Sequence, residues 1–263
     1  MKLSKDFLED LYIKGATLVG KTDPIMYPKR FGNNKDIEVT AFIASIFAFG
    51  SISQIMKILE RISGVIGKRP YNFCKSYSEE SSYFLDNNIY YRFYSPSDIE
   101  ALFFSIRYHL VQYGSLEKYF NSLYRGNENS LYKAVELFCK SLREKAFEYQ
   151  GKETTGLKFM FPDPAKGSAC KRFQLFLRWM VRKDNIDFGI WKVIPKSELL
   201  IPVDTHIKKV ALRYKLTRMS SVTWTMAQQI TDSLKKFSKE DPVRYDFSLC
   251  HNEILKKSEK IKN

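Results

Sequence analysis

The sequence is poor in cysteine and histidine, and those it has are scattered. Its four cysteines lie at positions 74, 139, 170 and 250, and it holds three histidines in 263 residues. Zinc and iron–sulfur sites need several such ligands at short spacing. The spacing therefore argues against a cysteine-held metal. We expect no iron–sulfur cluster, no other metal or cofactor, and free thiols.

The sequence also lacks long apolar runs and a signal peptide. No stretch reaches the ~18 uninterrupted apolar residues of a membrane span. The opening MKLSKDFLEDLYIKG is an amphipathic helical pattern with acidic side chains inside it, not a segment with an apolar centre. Alternating runs long enough for a substantial sheet are missing too. We therefore expect a cytoplasmic, all-α protein with no membrane partner.

Acidic residues are in deficit, since 43 Lys and Arg face 29 Asp and Glu, which gives a formal net charge of +14. An excess of that size favours a polyanionic partner, because neutralising phosphates releases condensed counterions. A basic but merely soluble surface is the alternative. The charge indicates a nucleic-acid partner and, with it, association with the nucleoid.

Helical periodicity covers most of the chain. The segment DIEVTAFIASIFAFG predicts a buried helix with Asp36 as a possible N-cap and a stop at Gly50, followed at once by a second helix. Further helices are predicted at 97–112, 115–124, 130–148, 169–182, 205–214, 222–237 and 243–258, with loops at 22–35, 151–167 and 184–204. We expect one helical domain over 1–263, which can divide into two lobes, 36–165 and 1–35 with 166–263, around a cleft.

The entrance to the predicted helix at 169–182 carries small residues followed by basic ones. Gly167, Ser168 and Ala169 are small enough to let another backbone approach closely. The first-turn amides of a helix form an anion site together with its dipole. Lys171 and Arg172 therefore lie where a phosphate would be held.

The entrance to the predicted helix at 205–214 carries an aspartate. Pro202 restrains the approach, and Asp204 or Thr205 caps the helix that follows. Taken alone, Asp204 is best interpreted as a structural cap. His206 has no neighbouring ligand set, so we expect it to cap or to contact phosphate and not to bind a metal.

Taken together, these two stretches resemble the helix-hairpin-helix DNA glycosylases. Residues 167–171 can be aligned with their Gly-x-Gly-x-Lys hairpin, with Ala169 in place of the second glycine, and residues 202–206 resemble the stretch that carries their essential aspartate. The interval of 33 residues between Lys171 and Asp204, and the lack of a cysteine cluster, resemble the archaeal 8-oxoguanine glycosylases.

The more specific resemblance is to the DUF2400 family. Its members similarly carry the motifs SACKR…LRWMVRKD…DFGIW, P-x-D-T-H and DPVxYDF, which occur here at 168–191, 202–206 and 241–247. This resemblance covers the chain from about residue 23 to residue 247.

The resemblance implies a DNA glycosylase with AP lyase activity in base excision repair. It would act as a monomer on double-stranded DNA that contains a damaged base, and we expect that base to be an oxidised purine such as 8-oxoguanine. Lys171 would attack the sugar, and Asp204 would serve as its electrostatic and proton-transfer partner.

Such chemistry needs a base flipped into a pocket with an aromatic wall and polar edges. The candidates for that wall and its edges are Trp179, Asp187, Phe188 and Trp191. Core packing is the stronger interpretation of Trp179, because it lies at core spacing on a helix. Gln54 and Ser53 are candidates to fill the gap that a flipped base leaves, and a plain polar helix start is their alternative.

Other charged residues are open to two interpretations. Basic residues on the two predicted helices form a candidate DNA-facing surface, or simply solvated faces; they are Arg172, Arg178, Arg182, Lys208, Lys209 and Arg213. Asp246 is assigned no chemistry beyond a cap or a supporting contact. Arg92 lies among aromatics, and stacking within the core explains it equally well.

Two other functions remain open at this point. A noncatalytic DNA-binding module would keep the fold and the hairpin at Gly167–Lys171 but would have no need of Asp204. A protein-interaction domain with an incidental basic surface would need neither feature. The two DNA-related hypotheses therefore differ in what they require of Asp204.

Overall fold

A computed structural model of the chain describes residues 3–18, 23–128, 130–192 and 194–251. All regular secondary structure in these ranges is helical, which confirms the predicted all-α class. Helices α1 to α12 are Lys5–Leu18, Asn34–Ile46, Ile52–Ile66, Pro70–Lys75, Tyr83–Asp86, Pro96–Tyr113, Leu116–Gly126, Leu131–Gln150, Thr155–Met160, Lys171–Val181, Thr205–Arg213 and Trp224–Lys235. No helix in the described part of the chain combines the length and apolar content needed to cross a bilayer.

Short helical segments complete the described elements. Four 3-10 helices cover Pro24–Met26, Pro28–Arg30, Pro164–Lys166 and Lys196–Glu198. Residues 246–251 are helical as well, and the rest of the helix predicted at 243–258 lies outside the described residues. Helices α4, α5 and α9 were missing from the sequence prediction because each has six residues or fewer, too few to show a helical period.

Helix α2 differs from its prediction at both ends. Its N-cap is Asn33, whose side chain accepts the Asp36 amide at 2.9 Å, so Asp36 lies inside the first turn. The helix ends at Ile46, four residues before the predicted stop at Gly50. The hydroxyl of Tyr94 donates to the Ile46 carbonyl at 3.2 Å and so satisfies one of the carbonyls at this end.

The chain divides into two compact units. The first comprises Pro24–Asp163 and is called the middle unit; the second comprises the described residues within Met1–Asp23 and Pro164–Asn263 and is called the terminal unit. The predicted placement of two lobes around a cleft stays a prediction.

In the middle unit, buried carboxylates of α2 satisfy the amides of other helices. One Asp36 oxygen accepts the Tyr71 amide at 2.8 Å, at the start of α4. The two oxygens of Glu38 accept the amides of Leu116 and Glu117, each at 2.9 Å, in the first turn of α7. Because first-turn amides lack intrahelical partners, each carboxylate both satisfies donors and complements a helix dipole. Helix α2 is thereby tied to two neighbours.

Carboxylates of helix α6 likewise accept hydrogen bonds from the starts of two short helices. Glu100 is fully buried, and its Oε1 accepts the amides of Phe84 and Leu85 at 2.6 and 3.1 Å. Asp98 completes a capping box with Ser95 and also accepts the hydroxyl of Thr154, the N-cap of α9. Burial raises the pKa of Glu100, and its two backbone hydrogen bonds oppose that rise. These contacts explain why α5 and α9 form in spite of their length.

His109 is a buried titratable group of the middle unit, and its environment predicts a pH-dependent stability. Its two ring nitrogens lie 2.8 Å from the Ser105 carbonyl oxygen and 2.9 Å from the Ser141 hydroxyl, and burial lowers its pKa from 6.5 to about 4. Between these values the unfolded chain binds more protons than the folded one. The stabilising contribution is therefore complete above pH 6.5 and is lost as the pH falls toward 4.

We expect wild type to lose about 2 kcal/mol of unfolding free energy from this group between pH 7 and pH 5. A His109→Asn variant should lack that component, so its unfolding free energy should change less over the same interval. Urea unfolding at the two pH values measures the difference. Equal pH dependence in the two proteins would contradict the assignment.

Candidate active site

The entrance to α10 has an unusual backbone. Gly167 lies at φ +85° and Cys170, the residue before the helix, at φ +48°, a left-handed conformation that few non-glycine residues adopt. Ser168 Oγ accepts the Cys170 amide at 3.1 Å. Gly167 is exposed and Ser168 is half-buried, whereas Ala169 is buried. A close approach by another backbone is therefore possible at Gly167 and Ser168, and the predicted DNA contact of Ala169 is contradicted by its burial.

Asp204 caps α11, as one interpretation of the sequence predicted. Its Oδ1 accepts the amides of His206 and Ile207 at 2.9 and 2.8 Å. Its Oδ2 lies 3.8 Å from the sulfur of Cys250. The two carboxylate oxygens thus have different environments: one is fixed by the helix, and the other faces a thiol.

Lys171 and Asp204 both influence the pKa values of two other groups, Asp246 and Cys250. Burial raises the pKa of Asp246, the Arg178 guanidinium lowers it, Asp204 raises it and Lys171 lowers it. Burial also raises the pKa of the Cys250 thiol, Asp204 and Asp246 add to that rise, and Lys171 opposes it. Since such influence falls with distance, the lysine and the aspartate predicted as catalytic both lie within electrostatic range of Asp246 and Cys250.

Asp246 is held by a buried arginine. The Nη1 of Arg178 donates to Asp246 Oδ2, and its Nη2 lies 3.2 Å from Asp187 Oδ1. Both aspartates are buried, and 3 % of the Arg178 side chain is exposed. Arg178 lies on α10 seven residues after Lys171, which places the two side chains on the same face of the helix. The helix that presents Lys171 is therefore fixed directly to Asp246.

A second arginine extends this network. The guanidinium of Arg182 contacts Asp187, and it lies 2.9 Å from Asp184 and 2.8 Å from Asp241. Burial raises the pKa of Asp187 to about 6, against the influence of both arginines. For Asp184 burial acts in the same direction, but Arg182 and the amides of Asp187 and Ile186 outweigh it and hold its pKa below the usual range. We call these six residues the arginine–aspartate network: Arg178, Arg182, Asp184, Asp187, Asp241 and Asp246.

This network contradicts both interpretations of Arg178 and Arg182, a DNA-facing surface and a solvated helix face, because both side chains are buried and ion-paired. Arg172 is also buried, which contradicts the predicted phosphate contact at this position. His206 is half-buried, and its amide contacts Asp204. Of the predicted basic surface, Lys209 and Arg213 are exposed on α11.

The predicted wall of a base pocket is mostly packed core. Trp179 and Trp191 are buried, and Trp191 packs edge-on against Phe176 with ring centroids 5.1 Å apart. Asp187 is enclosed between two guanidiniums. These burials contradict an open pocket wall at the three positions. Phe188 is half-buried, and its role stays a prediction.

Ser53 and Gln54 are exposed residues of the middle unit. They lie in the first turn of α3, whose N-cap Ser51 accepts the Gln54 amide at 3.4 Å. This is the polar helix start that was the alternative interpretation. Their predicted role in filling the gap left by a flipped base stays a prediction.

Sequence reasoning missed Asp246 and Cys250 as members of the site. They are four residues apart in the helical stretch 246–251 and so share one face of it. The signal available was the aspartate itself, which interrupts the apolar stretch around Tyr245 and Phe247, because an unpaired carboxylate there would be costly.

The described residues contain no group of three His, Cys, Asp or Glu side chains arranged to hold a metal ion. The expectation of no cofactor stays a prediction.

Comparison with known proteins supplies a family. The model of the family described as "Protein of unknown function (DUF2400)" matches residues 23–255. The chain belongs to this family. Lys171, Asp204, Asp246 and Cys250 of the DUF2400 protein all lie within the match. No curated protein and no solved structure matched the chain.

The ion pair between Arg178 and Asp246 should contribute far more to the stability of the DUF2400 protein than a surface pair does. Asp246→Asn leaves a buried guanidinium without one of its two carboxylate partners, so we expect a loss of roughly 3 kcal/mol in unfolding free energy. The matched control is Glu60→Gln, which removes the exposed pair with Arg30 and should cost less than about 1 kcal/mol. Chemical denaturation measures both, and equal small losses would contradict this view of the network.

Proposed function

We propose that the DUF2400 protein is a DNA glycosylase with AP lyase activity, acting in base excision repair. One observation carries the proposal: Lys171 and Asp204, which are 33 positions apart in the sequence, both influence the pKa values of buried Asp246 and half-buried Cys250, and Asp204 Oδ2 lies 3.8 Å from the Cys250 sulfur. An amine and a carboxylate at one place are the pair that excision of a base through a covalent intermediate requires.

In the proposed reaction the neutral Nζ of Lys171 attacks C1′ of the damaged nucleoside. The bond from C1′ to the base breaks, and its electron pair leaves with the base, which takes up a proton. The nitrogen then loses a proton, the C1′–O4′ bond breaks and O4′ takes up that proton as the sugar ring opens, so that a protonated Schiff base joins Nζ to C1′. Loss of a proton from C2′ then expels the 3′ phosphate and cuts the strand.

The geometry of Asp204 suits a supporting role in this reaction. Its Oδ1 is fixed by two amides, so the carboxylate is oriented before substrate arrives. Its Oδ2 lies on the side of Cys250 and can accept a proton or stabilise the positive charge that develops on the sugar. The structural cap and the chemical role are therefore compatible, because they use different oxygens.

Asp246 and Arg178 act as positioning residues in this proposal. Their ion pair joins the middle of α10 to the helical stretch 246–251, and Cys250 on that stretch lies beside Asp204. The ends of two helices are thereby held near one point. Displacing either helix would separate the amine from the carboxylate.

The substrate and partner belong to the same proposal. The net charge of +14 supports a double-stranded DNA partner. The resemblance of the two motifs to the helix-hairpin-helix enzymes supports their fold, with two lobes around a cleft, and supports an oxidised purine such as 8-oxoguanine as the first lesion to test. We propose a monomer that acts on the nucleoid.

The proposed Schiff base can be trapped. We expect borohydride to link wild type covalently to duplex DNA from a lesion panel that includes 8-oxoguanine. Lys171→Gln should abolish the linked product, because it has no nucleophilic amine. The control Lys140→Gln removes an exposed lysine of α8 and should trap as wild type does. Gel electrophoresis of labelled DNA measures the product.

The same assay separates the rival functions. If wild type neither cuts nor links any duplex of the panel, the enzymatic proposal fails. Salt-sensitive binding that survives Asp204→Asn, with no product formed, would instead support the noncatalytic DNA-binding protein.

Two substitutions at position 204 distinguish capping from chemistry. Asn caps a helix about as well as Asp, so Asp204→Asn should change the unfolding free energy by less than about 0.5 kcal/mol, whereas Asp204→Ala should cost about 1 kcal/mol. Both should lower the single-turnover excision rate by roughly 100-fold or more, because both remove the charge. An Asp204→Asn variant with the wild-type rate would show that Asp204 is only a cap.

A further inference from the structure

A tight turn in the middle unit presents an arginine and a phenylalanine to solvent. Tyr91 and Tyr94 exchange two backbone hydrogen bonds of 2.9 and 2.8 Å, with Arg92 and Phe93 at the tip. Arg92 has φ +52°, a conformation that costs energy for a residue with a side chain. The tip is therefore held in one strained form by its surroundings.

The two flanking tyrosines hold the turn in place. Both are buried, and their hydroxyls donate to the carbonyls of Phe49 and Ile46, where α2 ends. A Cβ atom added to Gly50 would lie 2.9 Å from the Tyr91 hydroxyl and 3.0 Å from Nη1 of Arg92. The guanidinium thus lies directly against the backbone of the α2–α3 connection, which fixes its position.

Three phenylalanine rings lie together beside this guanidinium. The Phe49 centroid is 4.8 Å from that of Phe159 and 6.3 Å from that of Phe93, and the Phe49 and Phe93 planes differ by 3°. The Phe93 and Phe159 centroids are 5.1 Å apart. Phe93 is 52 % exposed and Phe159 is 38 % exposed. We call Phe49, Phe93, Phe159 and Arg92 the aromatic platform.

The platform combines apolar faces with a planar cation. The Arg92 guanidinium carbon lies 5.8 Å from the Phe49 centroid, within the range of a cation–π contact. Contiguous exposed rings are unfavourable in water and mark binding surfaces. An apolar protein partner would need no cation there, whereas a nucleic acid strand offers base faces to the rings and phosphates to the arginine. The net charge of +14 favours the same kind of partner.

We propose that the aromatic platform is a binding site for unpaired bases of a DNA strand, which stack on Phe93 and Phe159 while Arg92 contacts the adjacent phosphate. The proposal rests on the DNA partner proposed above but requires no chemistry at Lys171. It adds to the enzyme a second contact, for a strand whose bases are not paired. It also corrects the interpretation of Arg92 as part of the core, since Arg92 is exposed.

Binding of the full chain to undamaged DNA tests the platform. A fluorescently labelled single-stranded oligonucleotide and the matching duplex serve as probes in anisotropy titrations. We expect Phe93→Ala and Phe159→Ala each to weaken single-strand binding about ten-fold, the order of one lost base–aromatic stack. Duplex binding should change less. Arg92→Lys, which keeps the charge but loses the planar group, should lie between wild type and Arg92→Ala.

The matched control is Tyr132→Ala at the start of α8. Tyr132 is 37 % exposed, almost the same as Phe159, and lies outside the platform. It should bind both probes as wild type does, and circular dichroism should show all variants folded. Wild-type single-strand affinity in the platform variants, or no single-strand binding by wild type, would overturn the proposal. An equal loss of affinity for both probes would also overturn the proposal, because stacking requires unpaired bases.

The design keeps the two proposals separate. The platform variants change single-strand affinity, whereas Lys171→Gln changes borohydride trapping, so each proposal has its own variant and its own readout. If the platform variants keep wild-type affinity for the single strand, the expected result of borohydride trapping is unchanged. Failed trapping with intact platform binding would leave a DNA-binding protein without lyase activity.

Discussion

Burial of two guanidiniums is the constraint around which the terminal unit is built. The side chains of Arg178 on α10 and of Arg182, the residue that follows the helix, are buried, and an unpaired charge there would be prohibitively costly. Four aspartates offset that cost, and they come from two separate segments, 184–187 and 241–246. The network therefore fixes three parts of the chain relative to one another. Lys171 at the start of α10 and Cys250 after Asp246 have defined positions as a result.

The middle unit uses buried charge in a different way. There the carboxylates of α2 and α6 accept hydrogen bonds from amides in the first turns of other helices. Helix dipoles therefore stabilise these buried charges, as guanidiniums do in the terminal unit. Helices as short as α5 are stable only with such support. The same central helix, α2, ends beneath Tyr91 and Tyr94 and so supports the exposed turn at Arg92. In both units, buried polar contacts determine where surface groups lie.

The sequence predicted what depends on local pattern. The all-α class, the start of α11 and the cap at Asp204 follow from periodicity and from the chemistry of helix ends. It could not show that Arg178 points inward, because its partners lie 9 and 68 residues further along. The sequence placed the start of α2 at Asp36, because an aspartate before an apolar run is a common cap. In the structure Asn33 is the N-cap, and Asp36 accepts a hydrogen bond from the start of α4. Long-range electrostatic partners are what a single sequence conceals.

The different environments of the two Asp204 carboxylate oxygens have an evolutionary consequence. Because Oδ1 holds the start of α11, the position tolerates few residues, and among neutral residues only asparagine, serine, threonine and glycine cap comparably. Under the proposed function, a descendant that had abandoned base excision would be free to lose the carboxylate but not the cap. Such a lineage should retain one of those four neutral residues at 204, so under the proposed function the identity of a single position would distinguish repair enzymes from relatives that only bind.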